Sequence, residues 1–119
     1  MTETSAATVI HNHVQAFNAR NLDALMAGFT DSALWITGKT AVRGRAEIAE
    51  LFTEAMTGLL PELTVHTLLV QGDQAACQMT ETLTVGGRTE SFPIAAFYVL
   101  HDSRIASAKI YREGSAEIG

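Results

Sequence analysis

Residues 29–40 read "FTDSALWITGKT". Phe29 closes an apolar run at helical spacing, and Thr30-Asp31 turns the chain. Ala33-Leu34-Trp35-Ile36 is an extended apolar segment, and Gly38 interrupts it. The stretch is a junction, with helical periodicity before it and a strand inside it. How the rest of the chain divides about this junction decides the architecture.

On its N-terminal side, residues 5–18, "SAATVIHNHVQAFN", read as a helix with Ser5 as N-cap. Ala6, Ile10, His13, Val14 and Phe17 share one face, while His11, Asn12, Gln15 and Asn18 lie mostly on the other. Asn21 caps a second, short helix, "LDALMAGF", with Leu22, Leu25, Met26 and Phe29 as its stripe. On the C-terminal side, "GRAEIAELFTEAMTGLL" (residues 44–60) is a third helix. Its buried face is Ile48, Phe52, Ala55, Met56 and Leu59, and Pro61 stops it.

Beyond Pro61 the pattern becomes β. "ELTVHTLLVQ", "QAACQMTETLTV", "TESFPIAAFYVLH" and "RIASAKIYRE" are rich in β-branched and aromatic residues. Gly72-Asp73, Gly86-Gly87 and Asp102-Ser103 separate them as hairpin turns, which predicts an antiparallel meander. Helices first and strands afterwards make an α+β domain with the helices on one sheet face. "FPIAAFYVL" is apolar at both parities, as a central strand buried on two sides would be. Its outer face, expected to carry Ile94, Ala96, Tyr98 and Leu100 with Tyr111, then needs a cover, and a second subunit is the expected one.

The 119 residues are about one domain, with enough apolar content for a core and no linker or repeat. Residues 1–119 are therefore read as one domain with a short tail at 114–119. A net charge of −5, without any cluster of basic residues and aromatics, argues against nucleic acid as a partner. Cys77 is the only cysteine, so it forms no internal disulfide and no zinc site alone. The N-terminus lacks the pattern of a signal peptide, and no apolar run approaches a membrane span. The expectation is a cytoplasmic protein without membrane contact.

Three stretches together, "FNARNLDALMAGFTDSALW", "VRGRAEIAELF" and "SRIASAKIYREG", resemble the nuclear transport factor 2-like superfamily, in particular its SnoaL-like and ketosteroid isomerase-like enzymes. The resemblance covers nearly the whole chain. It implies a cone-shaped, cystatin-like α+β barrel: a strongly curved antiparallel sheet wraps the long first helix and leaves a pocket at its open end. The fold hosts isomerases, cyclases, epoxide hydrolases, dehydratases and association domains, so activity must be read from residues. Ketosteroid isomerases use an Asp base at the end of the first strand and an oxyanion hole made of a Tyr and a protonated Asp. Ungapped matching puts Thr37 at the base, His13 at the Tyr and Ala95 at the second Asp. All three differ, so steroid isomerisation by that route is not expected. Limonene epoxide hydrolases use an Asp-Arg-Asp set. The match places Glu81 near one acid, Met79 near the Arg and Ile110 near the other acid.

The catalytic candidates are His13 and Glu81. His13 lies on the apolar stripe of the first helix, where it could act as acid, base or hydrogen-bond partner, or simply bond a backbone carbonyl. Two registers compete for Glu81. One turns it inward with Cys77, Met79, Leu83 and Val85; the other turns Gln78, Thr80 and Thr82 inward, and the resemblance favours the second. Trp35, Thr37, Ala95, Phe97 and Arg112 are the candidates for binding substrate, Trp35 and Phe97 as pocket walls and Arg112 as an anion partner or an exposed strand end. Cys77 reads as a buried hydrophobe. His66 and His101 lie on separate strands without partners at ligand spacing, so no metal and no cofactor are expected. The expected function is cofactor-independent isomerase, cyclase or hydrolase chemistry on a small apolar metabolite. A ligand-binding module and a dimerisation module are the rivals.

Overall fold

The computed structural model describes residues 5–57 and 61–112. The elements run α1 (Ala6–Asn18), α2 (Leu22–Ala27), β1 (Phe29–Thr37), β2 (Thr40–Arg43), α3 (Arg45–Thr57), β3 (Glu62–Gln71), β4 (Gln74–Val85), β5 (Arg88–His101) and β6 (Arg104–Arg112). The six strands form one curved sheet in the order β2-β1-β6-β5-β4-β3. Strands β3 to β6 pair as the expected antiparallel meander, while β1 joins β6 in parallel. The sheet does not close, so the expected barrel is an open cone with β2 and β3 as its edges. The proposed tail at 114–119 and Leu59 lie outside the described residues.

The helix starts are fixed by their caps. Ser5 Oγ accepts from Thr8 N–H at 3.2 Å, and Asn21 Oδ1 accepts from Ala24 N–H at 3.1 Å. Val9, Ile10, His13, Val14 and Phe17 of α1 are buried against the sheet. Asn18 departs from its expected place on the polar face. Its amide donates to Leu63 O and accepts from Leu63 N–H, both at 2.8 Å, and so clasps the end of α1 to the start of β3. Gly44 opens α3 at a φ of +90°, which a side chain would strain, and its N–H donates to Ala33 O at 2.8 Å. Arg45 then ties α3 to the α2–β1 junction by donating to Met26 O at 2.9 Å and pairing with Asp31 at 3.2 Å.

Two strand features differ from expectation. Strand β1 starts at Phe29 rather than Ala33, with an irregularity between Phe29 and Leu34 where it meets β6. Strand β2 was not anticipated; it folds back on β1 across Gly38-Lys39, pairing Thr40 with Thr37.

The parity of β5 is also reversed. Ile94, Ala96, Tyr98 and Leu100 are buried toward the helices and do not form the outer face; Phe97 and Val99 are exposed there instead, with Tyr111 as expected. Ala96 lies opposite Cys77, Ile94 opposite Met79, and Phe92 opposite Glu81, and each facing pair shares a side of the sheet. Strand β5, apolar at both parities, cannot choose between them alone; pairing with β4 and β6 decides it.

Candidate functional site

At the open end of the cone lies a cavity of about 360 Å³, walled by α1, α3 and the inner sheet face. Thr37 pairs with Ile110 and Trp35 with Ala108, so the end of β1 lies beside the end of β6. Arg112 is two residues beyond Ile110 on the same face of β6, opposite Ile94 of β5, and Glu81 is two beyond Met79 on β4. Register alone therefore carries Thr37, Glu81 and Arg112 to one rim, and all three line the cavity with His13 and Trp35.

Two of the expected binding residues do not belong to this site. Ala95 and Phe97 have the outward parity of β5, and Phe97 is 53% exposed, packing its ring on Tyr111. The ungapped matching that placed Ala95 in the pocket is off by one residue on this strand, which reverses the face. Ile94 and Tyr98 line the cavity instead. Tyr98 carries no polar neighbour in sequence that would have marked it as a site residue. Its burial, and secondarily the charge of Cys77, push its hydroxyl well above the ordinary phenol range, so it stays protonated.

His13 is only 6% exposed. The rings of Phe29, Trp35 and Tyr98 each lie with centroids 5.7 Å from it, and Phe52 at 6.3 Å. Its Nδ1 is sealed from solvent and has no hydrogen-bond partner, which sets aside the reading of a carbonyl-bonded structural histidine. Burial lowers its pKa from 6.5 to about 4. Charging the ring inside the fold thus costs about 3 kcal/mol more than in water. A base this weak holds a proton poorly near neutral pH, so burial keeps the His13 imidazole neutral.

Glu81 takes the inward register, with Cys77 and Met79, and is 7% exposed. Arg112 Nε donates to Glu81 Oε1 at 2.8 Å, and Arg112 Nη2 contacts the same oxygen. Both contacts fall on Oε1, so Oε2 carries no protein hydrogen bond among the described residues. The remaining wall is mainly aliphatic and aromatic. A single ion pair on an apolar wall is costly to maintain for stability alone.

The other polar candidates lie elsewhere. His66 bonds Thr80 at 2.7 Å on the exposed side of β3, and His101 faces Asp102 at 3.4 Å. Cys77 is 1% exposed, and burial pushes its thiol up to about 11, as for a buried hydrophobe. Among the described residues no group of three His, Cys, Asp or Glu could hold a metal ion, and no helix is long and apolar enough to cross a membrane.

A family model for the SnoaL-like domain matches residues 10–108. No curated protein matches the chain. Among solved structures, a Xanthomonas campestris protein assigned to the polyketide cyclases superposes with a TM-score of 0.83 at 18% identity, over 89% of this chain and 88% of that one. An epoxide hydrolase of M. tuberculosis, described as LEH-like, gives 0.83 at 19% identity, over 91% and 82%. A Burkholderia pseudomallei NTF2-like protein of unknown function gives 0.85 at 15% identity, over 92% of each. At such identities these likenesses carry the fold and leave the chemistry to the residues.

Proposed function

The chain belongs to the SnoaL-like domain family, and from that premise we propose that it is a cofactor-independent enzyme that moves a proton on a small apolar metabolite, as an isomerase, cyclase or hydrolase. The observation that carries this reading is the Glu81–Arg112 pair, with Oε2 unengaged, on the wall of an otherwise apolar cavity. The carboxylate missing at Thr37 has a counterpart on another strand. Steroid isomerisation by the ketosteroid isomerase set stays unsupported, because Thr37 is no base and Ala95 faces outward.

The chemistry follows from charge. Glu81 Oε2 takes a proton from a carbon next to a carbonyl, and the electron pair moves onto the carbonyl oxygen. As Glu81 becomes neutral, Arg112 loses its internal counter-charge and balances the enolate. The cavity carries zero net charge before and after the step. The proton returned at a second carbon gives isomerisation; carbanion attack on a second carbonyl gives cyclisation. For an epoxide, the same carboxylate takes a proton from a water whose oxygen attacks a ring carbon as that C–O bond breaks, and the proton then passes to the alkoxide to give the diol. His13 offers a hydrogen bond to the substrate oxygen, and Thr37 offers its hydroxyl at the rim.

The test is to incubate the protein with small alicyclic ketones in D2O, and with alicyclic epoxides, and to read exchange or hydrolysis by NMR. Activity that Glu81→Gln abolishes at unchanged melting temperature supports the proposal. Binding without exchange, cyclisation or hydrolysis across the panel would move the protein into the ligand-binding class.

A further inference from the structure

Among the described residues that line the cavity, only Glu81 and Arg112 are charged, and they neutralise each other. The remaining inner wall approaches a ligand with ring faces and aliphatic carbon. His13 sits within four aromatic rings and is left without a hydrogen bond. Of its two ring nitrogens only Nδ1 is sealed from solvent, and no protein group fixes which nitrogen carries the proton. The cavity therefore presents an imidazole without a hydrogen bond, which can donate or accept, beside the acceptor Glu81 Oε2, and no net charge.

We infer that this cavity selects uncharged ligands: a compact alicyclic or aromatic skeleton bearing a hydroxyl or carbonyl group that completes the hydrogen bonding of His13. The inference rests on the cavity being the working site, as proposed above, and adds the class of molecule that the site takes. A ligand carrying a full charge would be desolvated against apolar walls without compensation. A carboxylate could reach Arg112 only by displacing Glu81 and stranding it in a low-dielectric wall, and an ammonium at Glu81 Oε2 would meet a carboxylate that the Arg112 charge already balances. A hydroxyl meets neither penalty. It hydrogen-bonds the imidazole in either tautomer, whereas a carbonyl requires the N–H to face it. A volume of about 360 Å³ is at the lower end of ordinary ligand pockets, which favours a compact skeleton over an extended chain.

Three probes on one cage separate charge from shape: 1-adamantanol, adamantane-1-carboxylate and 1-adamantanammonium, titrated at pH 7.5. All are transparent where tryptophan absorbs. Trp35, the chain's only tryptophan, lies in the cavity wall and reports binding by its emission, with calorimetry as a second readout. The alcohol is expected to bind at least tenfold more tightly than either ion. His13→Phe is expected to weaken the alcohol at least fivefold while leaving the ions unchanged. Equal or tighter binding of the carboxylate or the ammonium overturns the selection for uncharged ligands and leaves the site itself standing. An unchanged alcohol affinity in His13→Phe overturns the role of His13. If none of the three probes moves Trp35 emission or gives heat at millimolar concentration, the cavity is not a binding site, and the functional proposal falls with the inference. The wild-type series decides the charge question even if the variant folds poorly.

Discussion

Replacing His13 by Phe should flatten part of the protein's acid sensitivity, and the amount follows from its surroundings. In the unfolded chain the imidazole titrates near 6.5; within its ring cage it takes a proton only near about 4. Above pH 6.5 both states hold it neutral, and it adds no pH dependence. Between those values the unfolded chain binds a proton that the folded one refuses, so stability falls as pH falls. Below about 4 the loss is complete. Integrating between pH 7.5 and pH 5 gives about 2 kcal/mol of stability lost by the wild type through this residue alone. His13→Phe keeps an aromatic ring in place and removes the titration. The other ionisable groups are common to both proteins, so their contributions cancel in the difference. Urea unfolding of both proteins at the two pH values measures it. Whatever the offset at pH 7.5, the variant should gain about 2 kcal/mol on the wild type at pH 5. Parallel pH profiles would refute the argument, since His13 would then be solvated or already partnered.

Arg112→Met strands Glu81 in the cavity wall and should cost on the order of 3 kcal/mol in chemical denaturation, with part of that recovered in the Glu81→Gln/Arg112→Met double variant. Equal losses in the single and double variants would show that the pair is not coupled. Asn18→Ala removes both hydrogen bonds to Leu63 and should cost about 1–3 kcal/mol, against a few tenths for Asn12→Ala on the exposed face of α1. We also propose that the outer sheet face is the interface of a homodimer. It exposes Leu69 (65%), Phe97 (53%), Val99 (40%) and Tyr111 (47%). Sedimentation at micromolar concentration should give twice the chain mass, and Phe97→Glu should shift it to one; a single-chain mass for the wild type would refute the interface.

Local signals were legible where they act locally. Ser5 and Asn21 cap the helices as side-chain acceptors can. Paired turn residues between β-rich runs predicted the meander. The resemblance carried together by "FNARNLDALMAGFTDSALW", "VRGRAEIAELF" and "SRIASAKIYREG" implied the curved sheet and a pocket at its open end, and His13, Trp35, Thr37, Glu81 and Arg112 line that pocket. What escaped depends on partners distant in sequence. Strand β2 is four residues long, and its pairing with β1 carries no hydrophobic alternation. The parallel β1–β6 pairing joins the two ends of the sequence, which no local pattern encodes. The face of β5 follows from Cys77 and Met79 opposite it, so Ala95 and Phe97 were misplaced while Ile94 and Tyr98 were missed. Asn18 read as a polar surface residue because an amide that substitutes for a strand partner looks the same in sequence.

The central claim is that Glu81 is the base. It is tested most directly by the kcat of Glu81→Gln on any ketone or epoxide the wild type turns over, with the Kd for 1-adamantanol measured on the same samples. The Glu81→Gln change keeps the shape and the contact with Arg112 while removing the proton acceptor. The account predicts a kcat lower by about 10²–10⁴-fold, with Kd unchanged within about threefold. Turnover at the wild-type rate in a folded variant that still binds the alcohol would contradict it.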